Sequence, residues 1–135
     1  MRTKFAVAVV GLALVSLAKP ILAHHSFSAE FDANKPFKMS GTVTKVEWMN
    51  PHTFFYIDVT DEKTKKVTNW AMEMGSPNGL MRQGWTRNSL KEGDVVTVNG
   101  SRAKDGSNLV NASTVVLGNG KRVFAGSSAE DPATK

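Results

Sequence analysis

Apolar and polar residues alternate most cleanly from Thr53 to Thr60, with Phe55, Ile57 and Val59 on one side and Phe54, Tyr56 and Asp58 on the other. Period two is the mark of a half-buried strand. Before it, Phe37 to Trp48 is rich in Thr and Val, with Met39, Val43 and Val46 spaced as a strand interrupted near Gly41 or by a bulge, and Asn50-Pro51 breaks the run. After it, Asp61 to Lys65 is a charged turn, and Lys66 to Met74 predicts a third strand with Trp70, Met72 and Met74 on one side. Ser76-Pro77 then opens a short helix, with Ser as N-cap and Pro at the first helical position, and Gly84 ends it. Val95 to Val98 and Asn108 to Leu117 supply strands four and five. Gly118-Asn119-Gly120 predicts a type I′ hairpin, since Asn-Gly favours two positive φ angles, leading into a short sixth strand from Lys121 to Phe124.

Three strands, a short helix and two or three further strands predict an all-β fold, a small OB-fold-like antiparallel barrel of five to six strands with the helix between strands three and four. A β-sandwich shows the same alternation but gives no reason for the helix.

Composition changes this picture mainly at the N-terminus. Arg2 and Lys4 precede an almost unbroken apolar run from Phe5 to Ala18, the charged and hydrophobic regions of a secretory signal. The run is shorter than the roughly 20 residues that cross a bilayer, so no membrane span is expected after cleavage. A cut after Ala23 is expected, with a cut after Ala18 as the competitor. The expected organisation is a signal peptide over 1–23, a β-domain over 24–124 and a flexible tail over 125–135, where no large apolar side chain occurs. The full chain of 135 residues carries 17 basic and 12 acidic side chains. Losing Arg2, Lys4 and Lys19 with the signal leaves 14 basic residues and a formal charge of +2. That modest charge, together with export, argues against nucleic acid, although Phe54, Tyr56 and Trp70 are the residue types of an OB-fold stacking platform. The absence of Cys excludes a disulfide scaffold, a thiolate metal site and a Cys nucleophile. Hydrolase and phosphate-loop motifs are absent too, so no catalytic residue is assigned.

The three histidines fall in two places, His24-His25 at the expected mature start and His52 after Asn50-Pro51. Cleavage after Ala23 would give His24 a free α-amino group beside its imidazole. Adding His52 makes a three-nitrogen set that suits Cu(II), with His25 as an alternative ligand. The amine (pKa about 7.7–8.0) and imidazole (about 6.5) lose their protons near neutral pH. Trp70, Met72 and Met74 form a second candidate set, for Cu(I), although a packed core requires the same period. The sequence therefore points to an exported binding protein whose partner is copper or another transition-metal ion. Its alternatives are a periplasmic small-ligand or protein-binding module without metal, and a copper-dependent oxidase or oxygenase.

His24-His25-Ser26-Phe27, Glu30-Phe31-Asp32, Gly41-Thr42-Val43, Trp48-Met49-Asn50-Pro51-His52, Trp70, Glu73, Ser76-Pro77, Gly84-Trp85 and Gly93-Asp94 together resemble a family of small exported bacterial proteins catalogued only as a domain of unknown function. The resemblance implies a periplasmic or secreted protein and makes both histidine placements family motifs. Asn69 to Met74 followed by Leu90 to Val98 is also similar to the periplasmic copper-binding OB-fold component of metal efflux systems. The Trp-to-Met spacing is one residue shorter here and strand two lacks a His, so what that likeness implies is fold and compartment.

Overall fold

The structure is a computed structural model and describes residues 27–125. The expected signal segment, His24 and His25 lie outside the described residues, as do residues 126–135 of the expected tail. In chain order the elements are α1 (Phe27–Glu30), β1 (Phe31–Glu47), β2 (Phe54–Thr60), β3 (Val67–Glu73), α2 (Pro77–Arg82), β4 (Val95–Ala103), β5 (Leu109–Val116) and β6 (Arg122–Phe124). The protein is all-β, with six strands and α2 between strands three and four as expected. Among the described residues no helix is long and apolar enough to cross a membrane.

The length of β1 organises the sheet. Its residues from Phe31 to Thr42 pair with β4, and those from Thr42 to Glu47 pair with β2. One strand thus serves two neighbours and lets the sheet turn back on itself. Register shifts between Asp32 and Pro36 and between Val43 and Lys45 bend it. Near the changeover Gly41 is required, because a Cβ there would meet the Asp58 carbonyl oxygen at 2.6 Å. Pairing runs β3-β2-β1-β4-β5-β6, and β3 also pairs with β5, closing a ring of five strands with β6 appended. The closure joins Ala71–Glu73 to Leu109–Asn111 and is parallel, which corrects the expectation of a wholly antiparallel arrangement.

The inward faces follow the alternation. Phe55, Ile57, Met72, Met74, Val96, Val98, Val110 and Val115 are buried and form the core with Phe37, Val43 and Leu80. α2 is capped as its sequence predicts: the Ser76 side chain accepts from the Gly79 amide. At its other end the amides of Gly84 and Trp85 donate to the carbonyls of Met81 and Leu80, a Schellman closure made by the positive φ of Gly84. That closure turns Trp85 into the core, where it is buried and its indole N–H donates to the Phe124 carbonyl at 2.7 Å. Trp85 therefore does not shape an exposed groove.

Some details also differ. β1 begins at Phe31 rather than Phe37, and β4 runs to Ala103 rather than Val98. Pairing of β4 with both β1 and β5 carries the extra residues, whose weak hydrophobicity hid them. The 118–120 hairpin is not type I′, since Gly120 alone takes a positive φ there. The Gly120 amide donates to the Leu117 carbonyl and the Leu117 amide to Lys121, the pattern of a tight turn ending in a left-handed glycine. Ala125, placed by sequence at the start of the tail, is fully buried, and its carbonyl accepts from the Gly75 amide.

Candidate functional site

His52 sits between β1 and β2, immediately after the cis Asn50–Pro51 bond. The β2–β3 ladder continues past the ends of both strands: the Thr53 amide donates to the Gly75 carbonyl (3.0 Å) and the Met74 amide to the Thr53 carbonyl (2.8 Å). This backbone pairing delivers His52 to the end of β3. There its ring Nδ1 lies 3.2 Å from the Met74 carbonyl oxygen and 3.8 Å from Glu73 Oε1. A carbonyl oxygen only accepts, so Nδ1 carries the proton in this hydrogen bond. In the neutral ring Nε2 then holds the lone pair, the arrangement found where a metal-ligating histidine donates its other N–H to a carbonyl or carboxylate. The His52 side chain is 32% exposed and that of Glu73 11%.

Glu73 also lines a cleft of about 640 Å³ with Glu30, Ala103, Lys104, Asp105 and others. α1 is fastened along this cleft, because the Lys104 amide donates to the Glu30 carbonyl and the Lys104 ammonium to the Ser28 carbonyl. Lys104 is the one cation among the lining residues, against three carboxylates. The Asp105 carboxyl is held below its ordinary pKa by hydrogen bonds from the Ser107 hydroxyl and amide, so it stays ionised.

Of the residues singled out from sequence, the structure brings His52 together with Glu73, not with the thioethers. Met72 and Met74 are core residues at 0% and 1% exposure, and Met74 serves His52 through its carbonyl. Trp70 is buried against Phe37, and the Arg102 guanidinium lies over its ring at 4.9 Å. Core packing accounts for all three. Among the described residues no group of three or more His, Asp or Glu side chains is placed to hold a metal ion. The aromatic platform does not assemble either: Trp70 pairs with Ile57 on the inner face, whereas Tyr56 faces outward. There the Tyr56 hydroxyl donates to Glu47 (2.9 Å), and Lys45 both bonds Glu47 and lies 5.5 Å over the Tyr56 ring. Burial, then the Glu47 contact, raises the Tyr56 phenol pKa, while hydrogen bonds from Lys45 and Tyr56 lower that of Glu47.

Glu73 was not among the candidate site residues that the sequence offered. Its signal was the hairpin itself: pairing outward from the charged turn sets Phe54 opposite Glu73, which leaves His52 at the end of β3.

The weaker likeness to copper-binding efflux components has no counterpart in comparisons with known proteins, since no curated protein and no solved structure matches the chain. A family model does match, over residues 11–111, which spans the histidine segments, the ring closure and the cleft. The chain belongs to that family, described as a family of unknown function (DUF6152).

Proposed function

We propose that this small β-domain is an exported periplasmic protein that binds a transition metal, copper(II), through His52 Nε2 together with the histidines at its mature N-terminus, His24 and His25. The observation that carries the reading is the His52 Nδ1–H bond to the Met74 carbonyl. It pins the ring, commits the proton to the side facing β3 and leaves Nε2 as a preset lone pair. The cleft beside His52, where Glu73, Glu30 and Asp105 face a single lining cation, supports it further, since it favours a positively charged partner. Imidazole nitrogens with a terminal amine form the borderline donor set that Cu(II) prefers, and the Met72 and Met74 thioethers of the candidate Cu(I) set are enclosed in the core.

Titration calorimetry of the signal-cleaved protein with Cu(II) tests this. A Kd below about 1 μM is expected. His52→Ala should weaken binding by more than the roughly 10–100-fold that loss of an outer partner costs. Affinity weaker than micromolar, or equal affinity in His52→Ala, contradicts the reading. The acidic cleft favours a second reading, a metal-free module for a small cationic ligand. Retention of such a ligand by protein stripped of metal would select it.

A further inference from the structure

The outer face of β1, β4, β5 and β6 carries two rows of directly opposed residues. Ser40, Thr97, Val116 and Arg122 face one another across the four strands, and so do Lys38, Asn99, Thr114 and Phe124. Opposed residues of antiparallel strands project from one face. Side-chain hydrogen bonds within each row agree, joining Ser40 to Thr97 (2.6 Å) and Asn99 to Thr114 (3.2 Å). The middle positions are half-buried, while Lys38 and Arg122 stand exposed at the two margins. Between them lies a cleft of about 470 Å³ lined by Lys38, Thr97, Asn99, Val116 and Arg122.

Neither row contains a carboxylate, and among the described residues the Lys38 and Arg122 side chains have no ion-pair partner. Two like charges directed at one cleft repel each other and favour a shared counter-ion. Donors are left over as well: one hydroxyl proton of the Ser40–Thr97 pair and one N–H of the Asn99 amide are not used by the bonds within the rows. Val116 gives an apolar floor that continues diagonally to Val95, which is 60% exposed.

We infer that this cleft binds a small organic anion, a carboxylate whose head is shared by Lys38 and Arg122 and whose short apolar body lies along Val116 toward Val95. Three strand spacings, about 14 Å, separate the margins, a gap that two long side chains and the carboxylate between them fill. Arg122 can grip the head with two parallel N–H donors, and Lys38 adds a point charge from the opposite margin. The cleft shares no residue with the His52 site, so the two stand or fall separately.

Backbone ¹H–¹⁵N shifts of the signal-cleaved protein test this, with hexanoate as the probe and acetate and hexanamide as controls at one ionic strength. Expected are shifts centred on Thr97, Asn99 and Val116, with a Kd of roughly 1–10 mM. Acetate, which lacks the apolar body, and hexanamide, which lacks the charge, should each bind at least about threefold more weakly. Lys38→Gln and Arg122→Gln, both at exposed positions, should each weaken hexanoate by about two- to fivefold. Shifts elsewhere or none, hexanamide or acetate binding as tightly as hexanoate, or an unchanged Kd in either variant overturns the anion site.

Discussion

His52 is held by one hydrogen bond, and that bond decides which nitrogen is offered to a ligand. A side chain 32% exposed would otherwise sample several rotamers and both tautomers. Tethering Nδ1 to a carbonyl in the β2–β3 register removes that freedom at a fixed point of the backbone. The glycines show the same dependence of function on close backbone approach. A Cβ at Gly100 would lie 2.2 Å from the Asn111 carbonyl oxygen, and Asn111 pairs with Glu73 at the ring closure. At Gly118 the nearest contact is an ordinary 3.6 Å. Gly100→Ala should therefore lower stability by about 1–3 kcal/mol, and Gly118→Ala should stay within about 0.5 kcal/mol of wild type. Midpoints of urea unfolding at unchanged m-value check both.

At the scale of elements, β2, β3 and α2 were legible because each is written in one local pattern. Period-two apolar residues give the strands, and Ser76-Pro77 with Gly84 gives the helix and its stops. What was not legible depends on pairing between distant residues. The start of β1 and the end of β4 are weakly apolar and exist as strands because they face each other. Trp85 follows a helix-ending glycine, and its burial is decided by the Schellman closure and by Phe124, 39 positions away. Glu73 gained meaning only when the hairpin brought His52 beside it. The turn between β2 and β3 carries a prediction of its own. Asp61 Oδ1 accepts from the amides of Thr64 (2.7 Å) and Lys63 (2.9 Å) and from the Thr64 hydroxyl. These bonds, the Thr64 amide first, lower the Asp61 pKa below its ordinary value. A depressed folded-state pKa gives stability that is present above the unfolded-state value and lost as pH falls through the folded one. Thermal midpoints should thus fall more steeply below about pH 4 in wild type than in Asp61→Asn. Parallel curves would show that the turn does not contribute this linkage.

Across the whole molecule, the ring closure and the candidate site are the same place. β3 reaches β5 through three residues, Ala71 to Glu73, and the last of them is the carboxylate beside His52. Ala125 and Gly75 join just beyond, and α1 is fastened by Lys104 at the other wall of the cleft. α1 therefore meets the fold where widely separated parts of the chain come together. Such a place is rigid because it is closed from several sides, which is what a preset ligand requires. Whether His52 presents Nε2 to a metal is read by long-range ¹H–¹⁵N correlation of the imidazole during Zn(II) titration of the mature protein. A metal-free ring protonated on Nδ1 is expected, with Nε2 alone shifting as Zn(II) is added. A proton on Nε2, or a His52 ring unmoved by the metal, would contradict it.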